Sequence, residues 1–390
     1  MASELRVAVA GLGSAAAQIL PAFTNVEGVR LGAGADIRAE ARDNFKKRFD
    51  LPVFDTVEAM CRSKDVDAVW IATPNLVHCE HTVAAADNGK HVICEKPTAV
   101  SLEECDRMVA AAERSGVKFI QGHSKIFDSP IRAMGNLIAS GKLGRVIQIN
   151  SWNFNDWLQR PRLPPEIDTR LGGGLVFRQG PHMVDIVRFV GGGMAKTVRA
   201  VTGRHDPNFD TEGNFTALVT FENGAVASMG FNGYGYFDVT ELTWLIGEGG
   251  QQASTDPRLK KAKPRRTGST GQQEKTDYIL SGDQAHARNF AERKMPFFGL
   301  TVVSCERGII RQSPDGLYVY TENGCEEVAV PPHHGRAAEL IELRDALAGK
   351  RDPFPDGRWG RSTLELCMAM LESSKAQREI PLTRQTPVPH

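Results

Sequence analysis

The stretch LRVAVAGLGSAA, residues 5–16, decides the fold of this chain. Its first half is a short apolar run typical of a buried strand, and a helical pattern follows over residues 15–23. Between them, Gly11 permits a tight turn, Gly13 lets a pyrophosphate approach the backbone, and the small Ala16 lets the helix pack closely on the strand. The segment therefore predicts the strand, turn and helix of a dinucleotide-binding domain, with the pyrophosphate at the start of the helix.

An acidic residue follows at the spacing that this motif requires. A second strand is predicted over residues 29–35, and Asp36 comes next, 20 residues after Ala16. There a carboxylate accepts hydrogen bonds from the ribose hydroxyls of adenosine. It would repel a 2′-phosphate, whereas Arg38 would partly neutralise one, so we expect NAD as the cofactor and keep NADP as the alternative. Asp36 is also a candidate N-cap for a helix over residues 39–49.

Strands and helices continue to alternate up to residue 124. The further elements predicted are strands at 68–72, 91–94 and 117–121 and helices at 77–88 and 101–115. Such alternation with short loops is typical of a right-handed, doubly wound parallel sheet, so we assign residues 1–124 to a Rossmann domain of the α/β class. The turn of Thr73, Pro74 and Asn75 lies at a strand end, where it would line the cofactor groove.

Charged residues end one of these strands. The sequence His91-Val-Ile-Cys-Glu95-Lys96-Pro97 passes from an apolar run to a carboxylate, an amine and a proline. Ligands of open α/β sheets bind beyond the carboxyl ends of the strands, so Lys96 is our first candidate for a catalytic residue and Glu95 is a candidate for the cofactor site. The alternative is that both are solvated loop residues, as most charged residues are.

Residues 125–390 show a different pattern. Helices are predicted at 129–140 and 364–375, and strands at 146–154, 215–221, 226–231 and 237–246. Strands grouped without intervening helices indicate a second α/β domain, with a large, mostly antiparallel sheet and helices on one face. A partner subunit often covers the other face of such a sheet, so we expect a homodimer or homotetramer. The polar, basic segment 251–275 is predicted to be a mobile insertion.

Candidate chemistry in this domain comes from a loop and a helix. The basic residues of the loop 156–171 are Arg160, Arg162 and Arg170. After three glycines, a helical run carries His182, with Asp185 on the same helical face. By itself, this pattern fits an ordinary helix histidine with its hydrogen bonds satisfied.

Composition narrows the class of protein. The chain has 47 Lys+Arg against 47 Asp+Glu and no basic stripe, which argues against nucleic acid as a partner. Its seven cysteines show no C-x-x-C pair, as in proteins with reduced thiols. There is no signal-peptide pattern, and no apolar run approaches the ~18 residues of a membrane span. We expect a cytoplasmic protein without a membrane partner. His78 and His81 lack further clustered ligands, so no metal is expected.

Several motifs occur in a defined order along the chain. They are Gly11-x-Gly13-x-x-Ala16, Asp36, Thr73-Pro-Asn75, the segment from Gly89 to Pro97, and Gly172-Gly-Gly174 followed by His182 and Asp185. In this order they resemble the Gfo/Idh/MocA oxidoreductase family, over nearly the whole chain. The resemblance implies a nicotinamide-binding Rossmann domain followed by an α/β domain. It also implies that Lys96 lies near nicotinamide and substrate and that His182 is the acid/base residue.

One residue departs from the pattern of that family. The family commonly has an aspartate four residues before the histidine, whereas this chain has Arg178. Arginine has no accessible deprotonated state and cannot act as a base, but its planar fork suits a carboxylate. Arg178 and the segments 237–241, 304–307 and 357–359 are features by which this chain resembles the branch of phthalate 4,5-dihydrodiol dehydrogenases. That branch oxidises a cis-diol ring with two carboxylates, which implies an anionic substrate.

We therefore predict an NAD(P)-dependent dehydrogenase acting on CH-OH or CH-CH groups. It would transfer a hydride to nicotinamide from a secondary alcohol, such as that of phthalate 4,5-dihydrodiol or another carboxylated cis-dihydrodiol. His182 would take the hydroxyl proton and Lys96 would hold the hydroxyl oxygen. The predicted carboxylate-binding residues are Arg178, Arg160, Arg162 and Arg170. Two alternatives stay open: a dehydrogenase of sugars, inositols or sugar acids, and a non-catalytic nicotinamide-binding regulatory protein.

Overall fold

The chain folds into two compact units. The computed structural model describes residues 4–122, 125–253, 256–259, 264–280, 294–331 and 335–389. The first unit comprises residues 1–124 and 334–364, and the second unit comprises residues 125–333 and 365–390.

The first unit is built on a parallel sheet of six strands in the order β3-β2-β1-β4-β5-β6. The strands are β1 (Leu5–Ala10), β2 (Val29–Ala35), β3 (Val53–Phe54), β4 (Ala68–Ile71), β5 (His91–Glu95) and β6 (Phe119–Gly122). The helices that alternate with them are α1 (Ser14–Ile19), α2 (Ala39–Phe49), α3 (Val57–Cys61), α4 (His78–Asp87) and α5 (Leu102–Arg114). This is the strand order of a Rossmann fold, and the predicted doubly wound sheet is confirmed.

Local chemistry explains where these elements begin and end. The β1 residues Val7, Ala8, Val9 and Ala10 are fully buried because both faces of a parallel sheet are covered, hence the uninterrupted apolar run. Helix α1 is shorter than predicted. It gives way to a 3-10 helix, Leu20–Asn25, because Pro21 has no N–H with which to continue the α-helical hydrogen bonds. Ser101 caps α5 by accepting a hydrogen bond from the backbone N–H of Glu104.

The second unit is built on a sheet of nine strands in the order β14-β13-β12-β11-β7-β10-β9-β8-β15. The strands are β7 (Val146–Phe154), β8 (Ala195–Gly203), β9 (Asn214–Phe221), β10 (Val226–Asn232), β11 (Leu300–Cys305), β12 (Gly308–Ser313), β13 (Gly316–Thr321), β14 (Gly324–Ala329) and β15 (Ile380–Pro381). The α-helices are α6 (Ser129–Ala139), α7 (Gly174–Arg178), α8 (Gly180–Val190) and α9 (Gln272–Leu280). All neighbouring strands are antiparallel except β7 and β10, so the predicted mostly antiparallel sheet is confirmed.

Two further helices complete the chain: α10 (Gly335–Leu347) and α11 (Gly357–Ala376). Leu340 and Leu343 of α10 are fully buried in the same core as Val7 and Trp70 of the first unit. The stretch 334–364 therefore belongs with the first unit, whereas the sequence analysis assigned it to a continuous second domain. Burial of the α10 leucines against the parallel sheet is the physical reason for the difference.

The two faces of the nine-stranded sheet have different surroundings. Helices α6 and α8 pack on one face, where alternate residues of β9 such as Phe215 and Val219 are buried. The residues that point the other way include Leu218, Val201 and Trp152, whose exposed fractions are 52%, 58% and 39%. The second unit therefore presents exposed apolar side chains on this other face of the sheet.

The strand predicted over residues 237–246 is wrong. Val239–Leu242 forms a 3-10 helix that Asp238 caps through the backbone N–H of Thr240. Trp244 and Leu245 then adopt positive φ angles of 52° and 63°, which no regular strand accommodates. The aromatic and β-branched composition of this segment favoured a strand, but its local turns prevent ladder pairing.

The segment 251–275 makes specific contacts where the structure describes it. The backbone N–H of Thr270 donates to the carbonyl of Arg162 at 2.6 Å, and that of Arg266 donates to Gln159 Oε1 at 2.9 Å. Lys275 forms an ion pair with Glu166. These residues pack on the loop 156–171 instead of extending into solvent as the predicted mobile insertion would. Residues 254–255 and 260–263 of the predicted insertion lie outside the described part of the chain.

Across the described ranges, no helix combines the length and the apolar composition that a bilayer-spanning segment requires.

Candidate active site

The glycine turn after β1 lies against the turn after β4. Gly11 has φ +87°, and a Cβ atom at this position would come within 2.7 Å of the carbonyl oxygen of Ala72 and 2.8 Å of the backbone nitrogen of Thr73. Only glycine fits there. Gly13 brings no side chain to the start of α1, and Ala16 is buried where that helix packs on the sheet. The backbone at this turn can therefore approach a pyrophosphate, as the sequence motif requires.

Asp36 is a buried carboxylate beside this turn. Its Oδ2 accepts a hydrogen bond from the backbone N–H of Leu12 at 2.9 Å, and its Oδ1 accepts one from that of Arg38 at 2.9 Å. Burial disfavours its charge, but the hydrogen bonds from Arg38 and Leu12 outweigh burial and lower the pKa of Asp36. Asp36 is therefore an ionised acceptor. It is not the N-cap of α2, because Arg38 occupies that position.

The guanidinium group of Arg38 lies on the same carboxylate. Its Nε and Nη2 lie 3.0 Å and 2.9 Å from the two oxygens of Asp36, in a bidentate pair. The side chain of Arg38 is half-exposed. An adenosine ribose bound at Asp36 would therefore meet both a carboxylate and an arginine.

Glu95, the last residue of β5, and Lys96, the residue after it, differ in burial. The Glu95 carboxylate is buried, accepts a hydrogen bond from Trp70 Nε1 at 3.2 Å and pairs with Arg336. Lys96 is only half-buried, at the carboxyl edge of the sheet. Arg336 lies 241 residues away from Glu95, and no local pattern in the sequence indicated it. The contacts of Glu95 thus fix the end of β5 within the first unit, and Lys96 is the next residue of the chain.

The turn after β4 is tied down by histidines of α4. Thr73 Oγ1 lies 2.9 Å from His81 Nδ1, and the Thr73 carbonyl lies 2.9 Å from His78 Nε2. Pro74 is exposed and Asn75 is half-buried at the start of the following 3-10 helix. Among the described residues, no group of three or more His, Cys, Asp or Glu side chains is arranged to hold a metal ion.

His182 lies in the first turn of α8, in the second unit. Its ring is buried against that of Phe298, with the ring centroids 5.0 Å apart. Asp185 is fully buried on the next turn of the helix. Pro181, which is favourable in a first helical turn, precedes the histidine.

A buried carboxylate organises the basic residues of the second unit. Glu166 Oε1 lies 2.7 Å from Arg178 Nη2, and Glu166 Oε2 lies 2.6 Å from Lys275 Nζ. Burial disfavours the Glu166 charge, but Arg178 and Lys275 outweigh burial and lower its pKa to about 2. Glu166 and Lys275 were not predicted from the sequence, because an acidic loop residue and a lysine in a polar segment resemble ordinary surface residues.

Arg160 and Arg162 belong to the same loop as Glu166, but their hydrogen bonding differs. Arg160 Nε donates to Asp156 Oδ1 at 2.7 Å. Arg162 lies over the indole ring of Trp157 at 4.8 Å from the ring centroid, and its buried Nε has no hydrogen-bond partner among the described residues. Burial and the positive charges of Arg160 and Arg178 lower the pKa of Arg162 to about 10. Arg162 therefore stays charged at neutral pH in an environment that disfavours its charge.

Arg170, the remaining predicted arginine, lies in a different environment. Its side chain is 84% exposed and pairs with Asp168, with Nη2 2.7 Å from Oδ2. The structure therefore brings Arg178 together with Glu166 and Lys275, and leaves Arg170 on the surface.

The glycines Gly172, Gly173 and Gly174 form the turn that leads into α7, the helix that ends at Arg178. Gly174 has φ +80°, and a side chain there would collide with Thr169, Thr211 and Glu212. Glu212 Oε1 accepts the backbone N–H of Val176 at 2.8 Å, and its Oε2 accepts the Thr169 hydroxyl at 2.7 Å. Glu212 thus holds the start of α7, whose last residue is Arg178. The sequence analysis did not identify Glu212.

Comparison with known proteins agrees with this architecture. Residues 5–123 match the oxidoreductase family with NAD-binding Rossmann fold, and residues 131–251 match the GFO/IDH/MocA C-terminal domain. The chain belongs to the Gfo/Idh/MocA oxidoreductase family. It is an NAD(P)-dependent oxidoreductase, and the Gly11 turn and the ionised Asp36 fit the pyrophosphate and ribose of NAD.

Three similar proteins illustrate the range of this Gfo/Idh/MocA family. A 1-carboxy-3-chloro-3,4-dihydroxycyclohexa-1,5-diene dehydrogenase of Comamonas testosteroni is 36% identical over 96% of this chain and 96% of its own length. A 1,5-anhydro-D-fructose reductase of Ensifer adhaerens is 34% identical over 44% of this chain and 52% of its own length. A crystal structure from Bordetella bronchiseptica RB50, whose name assigns it to the dehydrogenases, superposes with a TM-score of 0.87. It is 35% identical and covers 97% of this chain and 100% of its own.

Proposed function

We propose that this oxidoreductase oxidises the secondary alcohol of a cyclic cis-diol that carries at least one carboxylate, such as phthalate 4,5-dihydrodiol. The observation that carries the proposal is Arg162, a half-buried arginine whose buried Nε has no hydrogen-bond partner in the described chain. The similarity to the Comamonas testosteroni protein, whose name describes a carboxylated dihydroxycyclohexadiene, supports it.

Charge balance explains why an anion would bind here. The cluster contains the cations Arg160, Arg162, Arg178 and Lys275, the buried carboxylate of Glu166 and the exposed carboxylate of Asp156. Among the described residues, Arg178 and Lys275 form ion pairs with Glu166 and Arg160 forms one with Asp156, whereas no ion pair joins Arg162 to a carboxylate. A substrate carboxylate would supply the missing charge and accept charge-assisted hydrogen bonds from the guanidinium group.

The chemistry assigns one role to each remaining residue. Bound NAD⁺ supplies the hydride acceptor. The imidazole of His182 takes the proton of the hydroxyl group as its carbon loses the hydride, and the ammonium group of Lys96 binds the hydroxyl oxygen. For a cis-dihydrodiol the resulting ketone rearranges to an aromatic diol, which drives the oxidation forward.

In the same proposal, the cofactor is held by the residues that the sequence analysis selected. They are Gly11, Gly13, Ala16, Asp36, Arg38, Thr73, Pro74, Asn75, Glu95 and Lys96. The contacts of Asp36 favour NAD, whose ribose hydroxyls would donate to its carboxylate. The buried ion pair of Glu95 with Arg336 gives Glu95 an indirect role, as the anchor of Lys96.

Oligomeric state and location form part of the proposal. The apolar face that displays Leu218, Val201 and Trp152 supports a homodimer or homotetramer formed through the nine-stranded sheet. The seven cysteines, which show no C-x-x-C pair, support a reducing, cytoplasmic location.

A second candidate function is oxidation of a sugar, inositol or sugar acid. The similarity to the 1,5-anhydro-D-fructose reductase of Ensifer adhaerens favours it. A substrate panel separates the two candidates. Purified protein with NAD⁺ or NADP⁺ is offered carboxylated cis-dihydrodiols, inositols and aldoses, and the absorbance of reduced nicotinamide is followed. Turnover of the carboxylated diols supports the first proposal, and turnover of neutral polyols alone supports the second.

A further inference from the structure

His78 joins two turns at the carboxyl edge of the parallel sheet. Strands β4 and β5 are hydrogen-bonded neighbours, so the turns that follow them leave the sheet side by side. His78 is the first residue of α4, and its ring is buried between them. Nε2 lies 2.9 Å from the carbonyl oxygen of Thr73, and Nδ1 lies 2.9 Å from the carbonyl oxygen of Pro97.

The chemistry of these contacts is unusual because both partners are carbonyl oxygens, which only accept hydrogen bonds. A neutral imidazole has one N–H and can donate to only one of them, whereas an imidazolium donates to both. Burial lowers the pKa of His78, while the Thr73 and Pro97 carbonyls and the charge of Glu95 act in the opposite direction. Each tautomer of the neutral ring therefore hydrogen-bonds one turn and leaves the other carbonyl unsatisfied.

Each of the two turns leads to a residue of the reaction or of the cofactor site. Pro97 directly follows Lys96. The β4 turn packs against Gly11, whose missing side chain leaves room for the backbone of Ala72 and Thr73. The ring of His78 thus connects the Lys96 turn with the backbone that adjoins the dinucleotide-binding turn.

We propose that His78 is a positioning residue, which holds the Lys96 turn in place relative to the cofactor-binding turn through its contacts with Pro97 and Thr73 and donates a hydrogen bond to one of these two carbonyls in each neutral tautomer. The inference rests on the proposed role of Lys96 in the reaction. Glu95 anchors the same segment through Arg336 and through Trp70, which lies within strand β4, whereas His78 contacts the turn that follows β4. Displacement of a reacting group by about 1 Å costs on the order of 100-fold in rate, so this connection should be visible in the chemical step.

The first test is the rate constant of hydride transfer in a single turnover. Parent enzyme, His78→Leu, His78→Asn and His78→Gln are mixed rapidly with saturating NAD⁺ and the alcohol of the panel that the parent oxidises. His78→Leu should lower the rate constant by about 10- to 100-fold. The amide N–H of asparagine can replace Nδ1–H, which faces the Pro97 carbonyl, and that of glutamine can replace Nε2–H, which faces the Thr73 carbonyl. Because Pro97 is the residue next to Lys96, His78→Asn should recover more of the rate than His78→Gln.

A purely structural role would give a different result. Loss of folded sites lowers the amplitude of the single turnover without changing its rate constant. Cys79→Ala is the matched control, because Cys79 is the next residue of α4, is equally buried and directs its thiol to the carbonyl oxygen of Glu104 in α5. A rate constant of His78→Leu within about twofold of the parent, or equal rate constants for the three variants, would overturn the inference.

A second readout needs no substrate. The rate at which Lys96 reacts with an amine-selective acylating reagent is followed by peptide mass spectrometry, with Lys90 as the internal reference. His78→Leu should change the Lys96 rate severalfold and leave that of Lys90 unchanged; unchanged labelling of both lysines would contradict the inference. If Lys96→Met still turns over normally, the proposed function fails instead. If Lys96→Met is inactive while His78→Leu is fully active, only the positioning role fails.

Discussion

The buried carboxylate of Glu166 and the half-buried guanidinium group of Arg178 form an ion pair, with Oε1 2.7 Å from Nη2. The other oxygen of Glu166 is paired with Lys275, so one carboxylate serves two cations. Arg178 is the residue that departs from the sequence pattern noted above. Its pairing with Glu166 shows how the chain accommodates an arginine there, and the second cation, Lys275, gives the three residues a net positive charge.

The charge of Glu166 should contribute to the free energy of unfolding at neutral pH, and this contribution should be lost in acid. Its pKa is lowered to about 2 in the folded protein, so the contribution of its charge is complete above the ordinary pKa of a glutamate and is lost as the pH falls towards 2. Glu166→Gln should cost on the order of 2 kcal/mol at neutral pH and progressively less in acid. Denaturant unfolding of both proteins between neutral and acid pH measures this. A constant difference at all pH values would contradict the assignment.

Asp36 and Arg38 should set the choice between NAD and NADP. Asp36→Ser removes the carboxylate that repels a 2′-phosphate and leaves Arg38 free to bind one, so kcat/KM with NAD⁺ should fall by about tenfold while that with NADP⁺ rises. Arg38→Met, the complementary variant, should impair NADP⁺ and spare NAD⁺. Steady-state kinetics with both cofactors test this, and an unchanged cofactor ratio in Asp36→Ser would refute it.

Lys96 and His182 should be needed for turnover and dispensable for cofactor binding. Lys96→Met and His182→Gln should each lower kcat by about 100- to 10,000-fold, because each removes a group that binds or deprotonates the reacting hydroxyl. NADH binding, followed by nicotinamide fluorescence, should persist in both. Lys64→Met, an exposed lysine of the first unit, is the control and should be fully active. Normal turnover by either catalytic variant would exclude its proposed role.

The exposed sheet face should mediate self-association. Leu218→Lys places a charge at the centre of the apolar face and should convert the oligomer to monomers in sedimentation velocity. Lys196, an exposed lysine on neighbouring β8, offers the control variant Lys196→Ala, which should leave the oligomer intact. A monomeric parent protein would contradict the predicted homodimer or homotetramer.

The elements that were predictable from sequence are those with a signal in a short stretch of the chain. Gly11 lies in a strand–turn–helix pattern, and Asp36 follows the next strand at the spacing that this pattern requires. The apolar run of β5 and the capping residue Ser101 are local signals. Each of these features was found from its motif, although Gly11 also owes its conformation to the distant backbone of Ala72.

Features with distant partners were missed. Glu95 pairs with Arg336, 241 residues away, and α10 joins the first unit through tertiary burial of Leu340. Lys275 lies in a basic segment that has the composition of a solvated insertion, yet Glu166 pairs with it. Composition describes what a segment prefers in isolation, whereas these contacts depend on which distant charge the fold brings near.

The most direct measurement of the central claim is the selectivity for a carboxylate in the parent and in Arg162→Met. The ratio of kcat/KM for a carboxylated cis-dihydrodiol to that for its uncharged carboxamide should exceed one in the parent. It should fall by about 10- to 100-fold in Arg162→Met, chiefly through KM, because a charge-assisted hydrogen bond is lost. Arg170→Met, which removes an exposed arginine, should keep the parent ratio. An equal ratio in the parent and in Arg162→Met, or turnover of neutral polyols only, would contradict binding of an anionic substrate at this cluster.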